Sequence, residues 1–244
     1  MSVTGEPSGS EVQAPGGFLV PFGITLAPKR LSLALTHRSW AAEHVGAPHN
    51  ERLEFLGDSI LGQVVSWRLY REFPSLPEGE LSKRRAALVS ATSLSTLARS
   101  ITLGPHIRLG RGEKRSGGAD KESILADVLE AVIGAVFEEH GAEVADRFVN
   151  QLIDPQFAKI EELIVFFDPK TTLQEEAGAR GISLPVYEIE TEGPDHDRRY
   201  AATVKFEELT GTGIGTNKKA AELLAAREVV SQLIALDRLR GAQK

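Results

Sequence analysis

Between residues 51 and 73, Leu53, Leu56, Ile60, Val64 and Trp67 recur at spacings of three and four. That is the signature of a helix that buries one face. Pro74 and Pro77 end it. A helical pattern runs from about Leu31 to Leu163. It includes a predicted helix over Leu81–Ala98 and another from about Ser123 to His140. In the latter, Ile124, Val128, Ala131, Ala135 and Val136 keep helical spacing, and Gly141 is a natural stop. A loop rich in glycine and charge, Gly110 to Asp120, separates the two. Near Asp168-Pro169 the pattern changes. Thr172 to Ala179 reads as a short helix closed by Gly181. Residues 186–191 and 200–206 alternate like strands, with Gly193, Pro194 and Asp195 in the turn between them. Gly211 to Gly215 is glycine-rich and leads into a final helix from Lys218 to about Leu239.

Two units follow from this division. Residues 18–165 are expected to form a helical domain and residues 168–238 a small α+β domain. Residues 1–17, rich in Gly, Pro, Ser and Glu, are expected to be a disordered tail. The chain has 244 residues and is 41% hydrophobic, enough to bury a sizeable core. It has no cysteine, which excludes disulfides, thiolate metal sites and cysteine nucleophiles. No apolar run approaches a membrane span and no signal peptide is evident, so a soluble, cytoplasmic protein is expected.

Charge complicates the choice of partner. The formal net charge is −6, which at first argues against a polyanion. Residues 1–167 hold 17 Lys+Arg against 21 Asp+Glu, and residues 168–244 hold 11 against 13. Any nucleic-acid binding must therefore come from local basic clusters, with bound divalent metal offsetting some of the carboxylates.

The acids are not scattered. Glu51, Glu54 and Asp58 sit at i, i+3 and i+7 and share one helix face. Asp127 and Glu130 repeat the i, i+3 spacing on a helix that is otherwise apolar from Ile124 to Phe137. Two acids on such a helix need a reason, because unpaired buried carboxylates are costly. Spacing leaves two readings open. Either the acidic faces meet and bind Mg²⁺ or Mn²⁺, or they are a solvated face, salt-bridged to neighbours such as Arg52 and Lys121.

The words around these acids change the balance. Asn50-Glu-Arg-Leu-Glu-Phe-Leu-Gly-Asp-Ser-Ile60 closely resembles the signature of the ribonuclease III family. Leu35-Thr-His-Arg-Ser39, Leu109-Gly-Arg-Gly-Glu113 with Ser116-Gly-Gly118, and Ser123-Ile-Leu-Ala-Asp127 to Glu130-Ala131 resemble its other blocks, in the expected order. The resemblance implies an all-α endonuclease domain followed by an α-β-β-β-α double-stranded RNA-binding domain. It implies Mg²⁺-dependent cleavage of double-stranded RNA, with Mn²⁺ as a substitute, leaving 5′-phosphate and 3′-hydroxyl ends. Processing of ribosomal, messenger and other structured RNA precursors would follow. Glu54, Asp58, Asp127 and Glu130 match the family's essential acids, and Glu51 matches a more peripheral fifth. The enzymes act as homodimers, and Phe55 matches an aromatic that docks into the partner subunit. In a physical division of labour, Glu54, Asp127 and Glu130 would be direct metal ligands. Asp58 would hold water at the metal or complete the shell, and Asn50 would donate a hydrogen bond from outside. His37 reads as a capping or packing imidazole rather than a base.

The last segment, Gly213-Ile-Gly-Thr-Asn-Lys218-Lys219-Ala-Ala-Glu-Leu-Leu-Ala225-Ala226, resembles the end of double-stranded RNA-binding domains. Gly213 and Gly215 are expected to form a tight strand-to-helix turn. Lys218 and Lys219 would meet phosphates at the helix N-terminus, and Asn217 would cap it. Small Ala221, Ala225 and Ala226 would let the helix pack closely on the sheet. Gln174, with Thr172 and Glu175, matches the helix that reads one minor groove, and His196 the loop that enters the next. Lys170 adds a further cation. Lys83, Arg84 and Arg85 read as a solvated helix face. Arg108, Arg111, Lys114 and Arg115 are candidate RNA contacts without an assigned role. Two other classes remain open: a protein that grips double-stranded RNA without cutting it, and a phosphohydrolase of small nucleotides, which leaves residues 168–244 without a purpose.

Overall fold

The computed structural model describes residues 16–193 and 198–241, with side chains omitted at position 192 and from 237 onward. Residues 1–15, with most of the expected tail, lie outside them, as do Pro194, Asp195 and His196. The chain divides between Ala158 and Lys159 into two units.

The first unit opens with a 3-10 turn, Gly17–Phe22, and continues through α1 (Pro28–Ala34), α2 (Arg38–Ala42), α3 (Glu51–Glu72), α4 (Glu78–Leu88) and α5 (Ala91–Ser100). After these come α6 (Arg111–Arg115), α7 (Glu122–His140) and α8 (Ala142–Phe157). Helix α7 is the centre. Eleven of its residues, from Ile124 to Val136, are buried, so its apolar surface is covered on most sides. Helix α3 lies against it. Its buried stripe is Leu53, Gly57, Leu61, Val64, Val65 and Leu69. The expected stripe was partly misplaced: Leu53 and Val64 are core, but Trp67 is 54% exposed. The smaller Val65 and Gly57 let α3 come closer than a Trp-lined face would.

Three further expectations change. Residues 81–98 are not one helix. Ser90 breaks the run, and its hydroxyl accepts the Ser93 N–H at 3.2 Å as an N-cap for α5. The presumed loop after Gly110 contains the short helix α6. Nor are Lys83, Arg84 and Arg85 a uniformly solvated face. Arg84 is buried, pairs with Glu80 at 2.5 Å and stands over the Phe73 ring.

The second unit holds α9 (Ile160–Phe167), α10 (Pro169–Arg180), β1 (Val186–Glu192), β2 (Arg199–Phe206), β3 (Leu209–Gly215) and α11 (Lys218–Gly241). The sheet is antiparallel in the order β1-β2-β3. Helices α10 and α11 cover one face of it, and Leu173, Ala177, Val204, Phe206 and Val229 are among the core between them. Asp168 caps α10 by accepting the Thr171 N–H at 3.2 Å. The Gly211–Gly215 stretch is a strand, not a turn. A Cβ at Gly211 would lie 2.2 Å from the Ala225 carbonyl oxygen, and one at Gly213 2.3 Å from that of Ala221. The glycines let α11 press its small face, with Ala221, Ala225 and Ala226 fully buried, onto the strand backbone. No helix among the described residues is long and apolar enough to cross a membrane.

Candidate active site

The crossing of α3 and α7 fixes the site. A Cβ on Gly57 would fall 1.8 Å from the Glu130 carbonyl oxygen, and one on Gly134 2.2 Å from that of Leu53. With glycine on both helices the backbones nearly touch, and the acids that flank the crossing are brought together. Oxygens of Glu54, Asp127 and Glu130 lie within 4.8 Å of one another. All three side chains are half-buried. Asp58 and Glu51 are exposed and stand outside this group.

Cations do not explain the cluster. Among the described residues no Lys or Arg forms an ion pair with Glu54, Asp58, Asp127 or Glu130. Lys121 is held instead by Glu113 at 2.5 Å and by the Ser116 hydroxyl at 2.9 Å. Glu113 is correspondingly kept below the usual carboxylate range. Arg38 reaches Glu51 at 3.5 Å. The unneutralised acids affect one another. Burial first, and then the charges of Asp58, Asp127 and Glu54, push Glu130 up to about 8. Burial and neighbouring acids also raise Glu54 and Asp127. Crowded oxygens with raised affinity for positive charge, and no nitrogen or sulfur donor among them, fit a hard divalent cation. They do not fit zinc.

A cavity of about 730 Å³ opens beside Glu54 and Asp127. Its wall includes His37, Arg38, Asn50, Glu51, Glu113 and Lys121. A short parallel bridge, Thr36 to Arg108, brings α2 and α6 over the N-terminus of α3 and shapes it. His37 is a cap, as its sequence context suggested. Its Nδ1 accepts the Ser39 N–H at 3.3 Å and lies 2.8 Å from the Ser39 hydroxyl, which accepts the Gly110 N–H at 3.0 Å. Burial lowers its pKa, and an accepting Nδ1 places the ring proton on Nε2.

Other sequence candidates fall where the packing dictates. Asn50 does not donate toward the acids. It is buried, and its Nδ2 donates to the Ala34 carbonyl at 3.2 Å, tying α3 to α1. Arg108 is structural, 3.7 Å over the Trp40 ring and bonded to the Ser32 hydroxyl. Arg111, Lys114 and Arg115 are exposed together on α6. Phe55 is 78% exposed on α3. In the second unit, Gln174 is exposed on α10, and Lys218 and Lys219 are exposed at the start of α11. Asn217 accepts the Ala220 N–H at 2.9 Å, the cap its position suggested. Lys170 is paired with Glu222 at 2.6 Å and adds little free charge. His196 lies outside the described residues. Gly57, Gly134 and Arg38 escaped notice as site residues. A glycine inside a helix costs about 1 kcal/mol against alanine, so each asked for a packing reason that could have been sought.

Comparison with known proteins agrees with this geometry. A family model described as Ribonuclease-III-like matches residues 28–156, and one described as Double-stranded RNA binding motif matches residues 169–233. A protein named Ribonuclease 3 from Leifsonia xyli subsp. xyli is 53% identical over 209 residues, covering 85% of this chain and 88% of that protein. Another of that name, from Thermobifida fusca, is 50% identical over 205 residues, covering 84% and 85%. Among solved structures, the nuclease domain of a ribonuclease III from Campylobacter jejuni superimposes with a TM-score of 0.54 at 41% identity. It covers 58% of this chain and 96% of that one, and is described as flexible in a region involved in dimer formation. The chain belongs to the ribonuclease III family, an endoribonuclease domain joined to a double-stranded RNA-binding domain.

Proposed function

We propose that this chain cleaves double-stranded RNA by divalent-metal-assisted phosphodiester hydrolysis, leaving 5′-phosphate and 3′-hydroxyl ends, and that it processes ribosomal and other structured RNA precursors. The observation that carries this reading is the convergence of Glu54, Asp127 and Glu130 within 4.8 Å, with no ion pair from a Lys or Arg among the described residues. These three would hold Mg²⁺, with Mn²⁺ as a substitute. When bound, such a cation supplies Lewis-acid activation of water and of phosphoryl oxygens near neutral pH. Asp58, exposed one turn beyond Glu54, offers incoming water a hydrogen-bond acceptor beside the cluster. Glu130 gives up the proton that burial and its neighbours hold on it as the site fills. His37, engaged as a cap, is left out of the proton transfers.

Lys218 and Lys219 at the start of α11 would bind phosphates across the major groove, and Gln174 would face a minor groove. The active form is a homodimer in this reading. Exposed large apolar side chains on α3, Phe55, Trp67 and Tyr70, support it, since apolar surface left open in this way marks interaction sites.

The test is cleavage of a long RNA duplex with Mg²⁺, wild type against Glu130→Ala, with product ends mapped. The wild type should cut, and Glu130→Ala should bind the duplex but cut roughly hundredfold or more slowly. Equal cutting by the two would remove the cluster from the mechanism. A wild type that binds but never cuts would make the chain a binding protein.

A further inference from the structure

An acidic cavity that must admit a phosphodiester has an electrostatic problem. The strand arrives negatively charged beside Glu54, Asp127 and Glu51, so a fixed positive charge on the wall is needed to bring it to the acids. The wall offers few such charges. Lys121 is engaged by Glu113 at 2.5 Å and by Ser116 at 2.9 Å. His37 spends its Nδ1 on the α2 cap, and burial favours its neutral form. Arg38 differs. Its side chain is 73% exposed, and among the described residues its one ion pair is a long contact, Nη1 to Glu51 Oε1 at 3.5 Å. It therefore keeps most of its five N–H donors free in a planar fork that matches a phosphate. Its base is rigid, because the preceding residue's N–H donates to the Arg108 carbonyl at 3.1 Å. It is also near the acids: its charge pulls against the upward shifts of both Glu54 and Asp127.

Glu51 completes the picture. It lies outside the three-carboxylate group, and its oxygens face Arg38 at 3.5 Å and His49 at 3.6 Å. We propose that Arg38, oriented by Glu51, contacts a phosphate of the RNA strand beside the scissile bond, and that Glu51 serves this arginine rather than the metal. The assignment rests on the cavity being the cleavage centre. It gives the fifth acid of the signature a task in this chain: it holds an exposed guanidinium toward the cavity until a phosphate replaces the loose ion pair.

The test uses the full chain and its Arg38→Ala, Arg38→Lys and Glu51→Gln variants. Three quantities are read: kcat/KM on a long RNA duplex across a salt series, Mn²⁺ affinity by titration calorimetry, and the thermal midpoint. Arg38→Ala should keep its midpoint and lose kcat/KM by roughly tenfold. Its log–log salt slope should flatten by about one unit, as for one lost phosphate contact. Arg38→Lys should restore the slope and only part of the rate, because it keeps the charge without the fork. Glu51→Gln should lose rate in the same direction with Mn²⁺ affinity within twofold of wild type (about 0.4 kcal/mol). Wild-type rate and slope in Arg38→Ala would overturn the assignment, as would a large loss of Mn²⁺ affinity in Glu51→Gln. A wild type that leaves the duplex uncut with Mg²⁺ and Mn²⁺ overturns the cleavage reading itself, whereas an active wild type beside an indifferent Arg38→Ala overturns the Arg38 assignment alone.

Discussion

Glu130 bears the electrostatic cost of the site more than any other side chain. Its pKa in the folded chain is about 8, above the ordinary 4.5, so folding without metal takes up a proton between those values. The stability tied to the protonated carboxyl is complete below pH 4.5 and is lost as pH rises through 8. Glu130→Gln, which cannot ionise, should therefore match the wild type's thermal midpoint near pH 4.5 in chelator and exceed it at pH 8.5. Saturating Mg²⁺ at pH 8.5 should raise the wild-type midpoint and leave Glu130→Gln nearly unmoved; melting curves of both proteins check the pair. Glu51, Glu54 and Asp58 at i, i+3 and i+7, and Asp127 and Glu130 at i, i+3, were legible as two acidic helix faces. That the faces meet was not, and the resemblance to the ribonuclease III family, not the spacing, singled out four of the five. Arg38 was not legible, because an exposed arginine beside a cap carries no periodic signal. Asn50 was misread for a related reason: an amide next to an acid in sequence can turn its donors elsewhere, here to the Ala34 carbonyl.

Elements were legible where side chains alternate or recur, and obscure where glycine or serine removes the signal. Strand β3 presents Gly211, Gly213 and Gly215 toward α11, so after Leu209, which packs on the core, its inward face has no apolar residue to read. Its outward residues, Thr210, Thr212 and Ile214, alternate with nothing. The split between α4 and α5 was hidden because Ser90 is an ordinary residue inside a helical pattern until its hydroxyl is seen as a cap. Trp67 kept helical spacing with the core yet is exposed, since periodicity reports a shared face without saying which neighbour covers it. For β3 the consequence can be measured. Gly213→Ala would place a methyl 2.3 Å from the Ala221 carbonyl and 2.5 Å from the Ala225 N. Backbone on both sides cannot yield cheaply, so the substitution should cost about 1–3 kcal/mol, the usual range for overpacking. Chemical denaturation of the second unit, followed alongside duplex affinity, reads it.

At the scale of the whole molecule, the chain has a net charge of −6 and carries a double-stranded RNA binding motif over residues 169–233, so in the proposed function its contact with a polyanion falls to a few exposed cations. The order of the two domains was legible because the periodicity changes near Asp168. The sequence did not show that α9, before that change, belongs with the second unit: Val165 packs on its core, and Arg227 Nη2 donates to the Phe166 carbonyl at 3.2 Å. Assembly supplies the prediction at this scale. Phe55 is 78% exposed on the same helix that carries Glu54, so a charge there should disturb self-association while leaving the monomer's core intact. Phe55→Asp should sediment as a monomer where the wild type sediments as a dimer, with the far-ultraviolet circular dichroism unchanged. A wild type that is monomeric at the same concentrations would remove the dimer from the proposal.

The Gly57–Gly134 crossing also bears on durability. Many catalytic centres sit on loops that can loosen while the scaffold persists. Here the four acids ride on the two helices whose contact is the middle of the nuclease core, so the carboxylates are expected to stay together as long as that core is intact. With metal bound, loss of the carboxylate cluster and unfolding of this domain should therefore coincide on heating, both governed by how long α3 stays against α7.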